Sequence, residues 1–265
     1  MKKIKTLRKN LTKKTRNYRI LITSVIFVVL VINKGLYAEP NLNTKYEKMQ
    51  KLTTGQLGNI LNNKSKNKDE KQEAVRLLGS KANDKNAIKI LNNSLNSEED
   101  DIKIESAISL YKLNVTTTSI PILNAYLKKG RSEILDKLFI VKKEDDRICK
   151  IERLYNTSGE KVLVEALNSK DDMVRAKSAS YLVMLDKNAL AYNTAINILQ
   201  NSSSEDAKLF SLTTLGMIGD EKSILAIKSA LKDSNKKIRE RAEWMLKYIE
   251  TMKKVNVEQK NIHEK

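Results

Sequence analysis

Three groups of residues in this 265-residue chain have the makings of a reaction centre. The first is the glycine pair Gly216 and Gly219, followed by Asp220 and an aliphatic run. Glycines beside a helix start can let backbone N–H groups cradle a phosphate. The second is a set of adjacent acids: Glu98-Glu99-Asp100-Asp101, Asp145-Asp146 and Asp171-Asp172. The third is a single histidine, His263, and a single cysteine, Cys149. One imidazole near the chain end cannot build a histidine metal site or a Ser-His-Asp or Cys-His relay. The acids precede helical patterns, where carboxylates favour the positive helix end. No Walker loop, G-x-G-x-x-G or G-x-S-x-G occurs. The residues therefore predict no enzyme, no cofactor and no metal site, and the glycine pair needs a test of its own.

That test is internal repetition. Five nine-residue windows align: EKQEAVRLL (70–78), IKIESAISL (102–110), VRAKSASYL (174–182), AKLFSLTTL (207–215) and IRERAEWML (238–246). The ninth place is always leucine, the fifth is Ala or Ser, and the second is Lys or Arg. Places one, five and nine share one helical face. A small residue mid-face lets a neighbouring helix approach, and a leucine one turn later fills the gap. Four windows are followed by a second amphipathic pattern at i, i+3, i+7: Ile88/Leu91/Leu95, Ile120/Leu123/Leu127, Tyr192/Ala195/Leu199 and Ile224/Ile227/Leu231. A further copy supplies Leu163 and Leu167, so the closing leucines 95, 127, 167, 199 and 231 lie 32, 40, 32 and 32 residues apart. Each unit is thus a helix A, a short turn and a helix B. Sister copies place Gly79-Ser80, Leu113-Asn114 or Leu185-Asp186 where Gly216 to Gly219 stand. A phosphate loop could not lose its glycines in this way, so the pair reads as a helix end, with Asp220 capping the next helix.

The stretch EDAKLFSLTTLGMIGDEKSILAIKSALKD resembles a HEAT repeat of the short bacterial type also found in phycocyanobilin lyases, and VRAKSASYLVML and IRERAEWML match the start of that pattern. Arg175 and Arg239 stand at its basic place. The resemblance covers about residues 41–250 and implies an all-α α-solenoid superhelix, with about five helix pairs plus terminal cap helices. It also implies a ladder in which second-place bases pair with acids of adjacent units, with Asp100, Asp172 and Asp206 as the candidate acids. Residues 131–157 depart from the pattern and make the repeat near 131–170 irregular. They read as two short helices, near 132–142 and 146–156, forming a bend or an inserted contact surface. Residues 45–62 read as a cap helix pair, Trp244 as a closure of the last unit, and 255–265 as a frayed polar tail. Cys149 reads as a small core residue.

The charge of +18 is uneven. Residues 1–38 hold ten Lys or Arg and no acid, which leaves the remainder at +8. A basic start, the apolar run ILITSVIFVVLVI (20–32), then Leu36 and Ala38 at the −3 and −1 places, form a secretory signal pattern. The alternative is an uncleaved membrane anchor, for which the run is short of the roughly 20 apolar residues a span needs. Either arrangement exports residues 39–265, to the periplasm or outside the cell.

What remains for function is surface. The B-helix positions Lys89, Asn93, Asn193, Asn197, Ser229 and Lys232 turn away from the expected core and would line the concave side if the curvature follows the family. They suit a protein or peptide partner. The leading expectation is an exported, non-enzymatic scaffold in the cell envelope. The alternatives are a nucleic-acid-binding or base-excision HEAT-like protein, argued against by export and few aromatics, and a bilin-lyase relative, which shares only the repeat.

Overall fold

The computed structural model describes residues 44–139, 141–144, 148–151 and 157–263. Residues 1–38, expected to be a signal or anchor segment, lie outside them. No helix among the described residues is long and apolar enough to cross a membrane. In chain order the elements are α1 (Thr44–Gln50), α2 (Thr54–Asn62), α3 (Lys68–Gly79), α4 (Lys85–Ser94), α5 (Asp100–Lys112), α6 (Thr116–Lys128) and α7 (Glu133–Leu138). Strands β1 (Val141–Glu144) and β2 (Ile148–Ile151) follow, then α8 (Thr157–Ala166), α9 (Asp172–Val183), α10 (Asn188–Asn201) and α11 (Glu205–Ile218). The chain ends with α12 (Glu221–Ser229), a 3-10 turn (Ala230–Lys232) and α13 (Lys236–His263). It divides into two compact units, one with α1 and the hairpin, the other comprising Thr54–Phe139 and Arg153–Lys265.

The larger unit is an α-solenoid. Helices α3, α5, α9, α11 and α13 contain the five aligned windows and form an A row; α4, α6, α8, α10 and α12 form a B row. The small fifth place is fully buried in every copy: Ala74, Ser106, Ser178, Ser211 and Ala242. The ninth-place leucines are fully buried in four copies, and Leu246, in the last helix, is half-buried. Within the B-row triplets the deepest column is the middle one, Leu91, Leu123, Leu163, Ala195 and Ile227. Of the closing leucines, 127 and 199 are buried, while 95, 167 and 231 are half-buried.

The A-to-B turn settles the glycine pair. Four turns place one residue in the left-handed region immediately before the B helix: Asn83, Asn114, Asp186 and Gly219, with φ of 66°, 64°, 59° and 65°. Gly, Asn and Asp are the residues that tolerate that conformation. Asp220 then accepts from the Ser223 N–H at 2.7 Å and caps α12. Gly216 has a different reason. A Cβ there would lie 1.8 Å from Met245 Cε of the next A helix. Gly79 occupies the same repeat place in α3, and its Cβ would lie 2.5 Å from Ser109 Oγ of α5. Gly79 lets successive A helices approach closely, and Gly216 leaves room for the end of the Met245 side chain.

The irregular repeat differs from expectation. Among the described residues one short helix, α7, forms where two were expected, and strand β2 lies within the segment expected as the second helix. Strands β1 and β2 pair antiparallel, Val141 opposite Ile151 and Glu144 opposite Ile148, with Lys143 opposite Cys149. The β-branched residues Val141, Ile148 and Ile151 favour this pairing over helix. Helix α7 takes the A position of this unit, packing against both α5 and α9. Ile134, Leu135, Leu138 and Phe139 are fully buried there. The unit therefore has a truncated A helix, an inserted hairpin and an ordinary B helix. The C-terminal segment also differs, because α13 continues as helix to His263 instead of fraying after residue 254.

Candidate interaction surface

The A row is closed by ion pairs that run from unit to unit. Lys71 Nζ reaches Glu99 at 2.6 Å, and Lys208 Nζ reaches Asp233 at 2.9 Å. In both cases a second-place lysine meets an acid that precedes the following A helix. The arginines at the same place act differently. Arg175 donates to the Ser169 carbonyl at 2.8 Å, and Arg239 to the Asp233 carbonyl at 2.7 Å, each six residues back in its own entry loop. The ladder acids are thus Glu99 and Asp233 and not those expected. Asp172 pairs with Arg175 within its own helix, and Asp100 lies 3.9 Å from Lys103 and accepts from the Tyr126 hydroxyl. Asp206 forms no rung. The second-place lysine reaches across to the loop of the following unit, and the order of residues within one unit does not reveal that partner.

Further rungs stand at the helix starts. Asp101 takes Lys68 on one side and Arg131, at 2.7 Å, on the other. Glu205 takes Lys237 at 2.7 Å and Asn235 at 2.6 Å. The hydrogen bonds from Arg131 and Lys68 hold the Asp101 carboxyl below its ordinary value, and those from Lys237 and Asn235 do the same for Glu205. Burial, reinforced by the Asp100 carboxylate, pushes the Tyr126 phenol up to about 12. At the truncated unit, Asp136 of α7 pairs with Lys177 of α9 and accepts from the Tyr181 hydroxyl at 3.2 Å. The side chains of this pair are 5% and 9% exposed. Lys177 also lies 6.0 Å from the Phe210 ring centroid, and Phe139 packs against Tyr181. Trp244 is stacked on Tyr248 with centroids 5.8 Å apart, packed on the last core cluster beside Arg241.

The B row contrasts with this. Side-chain bonds hold its helices side by side: Thr118 of α6 donates to Asn92 of α4 at 2.9 Å, and Lys128 of α6 pairs with Glu165 of α8 at 3.1 Å. Lys187, just before α10, pairs with Glu160 of α8 at 3.3 Å. The outward side is open. All six expected surface residues, Lys89, Asn93, Asn193, Asn197, Ser229 and Lys232, are exposed. They belong to columns that the sequence reading picked only in part. Six places before each closing leucine stand Lys89, Pro121, Lys161, Asn193 and Leu225; two places before it stand Asn93, Ala125, Glu165, Asn197 and Ser229. One place after it stand Asn96, Lys128, Asn168, Gln200 and Lys232, and every residue of the three columns is exposed. The missed members were legible as the same offsets from the closing leucines. Two large apolar side chains break this polar surface, Leu190 (43% exposed) and Leu225 (65%).

The row has seven lysines and three glutamates, with no arginine and no aspartate. Lys85, Lys89, Lys161, Lys222, Lys228 and Lys232 make no ion pair among the described residues. The A row thus pairs many of its charges between units, and the B row presents amides and ammonium groups to solvent. This surface has hydrogen-bonding and electrostatic capacity along its exposed columns. Among the described residues no cluster of His, Cys, Asp or Glu could hold a metal ion.

No family model matches the chain, and no curated protein matches it significantly. Solved structures do match. One is an engineered protein, at 16% identity and a TM-score of 0.43, covering 74% of this chain; the chain spans 58% of that protein's length. Another is a designed armadillo repeat protein, YIII(Dq)4CqI, at 14% identity and a TM-score of 0.41, covering 74% of this chain and 100% of the other. A third is the designed armadillo repeat protein YIII(Dq.V1)4CPAF in complex with peptide (KR)4, at 14% identity and a TM-score of 0.45, covering 75% of this chain and 100% of the other. These are remote likenesses, and it is the stacking of its own A and B helices that makes the chain a helical repeat protein.

Proposed function

We propose that the chain is an exported, non-enzymatic scaffold of HEAT-type repeats that binds a protein or peptide partner in the cell envelope. The observation that carries this reading is the unequal treatment of the two rows. The A row couples many of its charges from unit to unit, whereas the B row leaves polar groups uncovered along its length and two leucines uncovered on α10 and α12. Repeat arrays commonly use such a continuous face for docking. The basic, acid-free N-terminus followed by an apolar run supports export.

Two measurements test the reading. Fractionation with sizing of the mature N-terminus should place the protein outside the cytoplasm, cut after Ala38 or retained on the membrane. A photo-crosslinking residue at Asn193 should capture a discrete partner, while one at Lys247, on the outer side of α13, should not. A cytoplasmic protein, or equal labelling from both positions, would overturn it.

A further inference from the structure

Resting on the scaffold reading, we infer that the B row takes an extended, acidic segment of the partner, laid across successive B helices. Charge complementarity carries this. The row's lysines outnumber its acids seven to three, and six of them are unpaired among the described residues. Lys89 stands on the first B helix, Lys161 on the middle one and Lys232 in the 3-10 turn that follows the last, so positive charge recurs at alternate units of the row. An uncompensated field of one sign on one face attracts the opposite charge.

The rest of the surface fits an extended chain. The amides of Asn193 and Asn197 are exposed and can donate to and accept from a peptide backbone regardless of its sequence. Exposed Leu225 offers apolar contact beside them. Packed helices lie about 8–10 Å apart, and an extended chain rises about 3.3 Å per residue, so about three residues span each B helix. Carboxylates at about every sixth position, which a Glu at every third position includes, would therefore meet Lys89, Lys161 and Lys232 of alternate units. Phosphate fits less well. The row has no arginine, whose planar fork matches phosphate. It also has no exposed aromatic ring among its described residues on which a base could stack.

Fluorescence anisotropy with the full-length chain tests this. The probe is a labelled 15-residue peptide with Glu at every third position; rivals replace Glu by Gln or by Lys, and a 15-nucleotide single-stranded DNA is the fourth. The acidic peptide should bind most tightly and weaken as salt rises. A Lys89→Glu, Lys161→Glu, Lys232→Glu variant should lose about tenfold in affinity while its circular dichroism is unchanged, because exposed pairs are individually weak. Lys247→Glu should leave binding unaltered. If the Gln or Lys peptide binds as tightly, the acidic specificity is wrong and the scaffold reading stands. The same holds if no probe binds but Asn193 still crosslinks to a partner. Tighter binding of the DNA, or no probe bound and no crosslink, would overturn both.

Discussion

The A and B rows are built from the same repeat, yet they use their polar residues in opposite ways. On the A row, acids and bases of successive units meet, and the Asp136–Lys177 pair is nearly removed from water. On the B row, the lysines and amides of the exposed columns mostly face solvent. The difference teaches that a repeat array can fix unit-to-unit register on one face and keep the opposite face chemically available. Close A-to-A approach at Gly79 and small buried residues at the fifth place accompany this linking of successive A helices.

The contrast can be broken most forcefully at the buried pair. Asp136→Ala should cost about 3–5 kcal/mol, because it strands the Lys177 ammonium in the interior; adding Lys177→Met should recover much of the loss in a chemical-denaturation experiment. Next in size, Leu123→Ala should destabilise by about 2–5 kcal/mol, and Leu95→Ala by clearly less, since Leu123 is fully buried and Leu95 only partly so. Equal effects would contradict the assignment of the middle column as the core.

A smaller effect of opposite sign is expected at the fifth place. The hydroxyls of Ser106, Ser178 and Ser211 are buried without a hydrogen-bond partner. Their replacement by Ala, which two sister copies already have, should stabilise by about 1 kcal/mol each. The acid limb of the pH profile sharpens the comparison further. Asp101, Asp233 and Glu205 all titrate below their ordinary values, for want of which their stabilisation would have no pH dependence. The folded state binds these protons less readily than the unfolded one. Their contribution is therefore complete above the ordinary carboxylate values near 4 and is lost as pH falls through the lowered ones. A thermal-melt series from pH 6 to 2 should show this fall, and Asp101→Asn should blunt it. Smallest of all, Lys89→Ala, Asn193→Ala and Lys232→Ala should each change stability by less than about 0.5 kcal/mol, which keeps binding assays on the B row free of folding effects.

Much of this was legible in the residues because it is local. Helix periodicity, the small-then-leucine face and the capping role of Asp220 depend on spacings of three or four residues along one helix. The exposed B-row residues were named in part for the same reason, and the missed ones share their offsets. The irregular repeat was misread for a local reason too. Its short α7 does look helical, but the β-branched residues around Glu144 and Ile148 carry a strand signal that the surrounding helical periodicity obscured.

By itself, the sequence determined the number of units, the identity of A and B helices, the turn chemistry that admits Asn, Asp or Gly, and the excess of lysine over acid. Tertiary structure alone decided which acid each base meets, which place of the B-row triplet is deepest, that α7 serves as a truncated A helix, and that the three fifth-place serine hydroxyls go without partners among the described residues. The physical reason is distance. Neighbours along one helix are fixed by the pitch of the backbone, but neighbours between units are fixed by how closely two helices can approach, and that depends on every side chain between them.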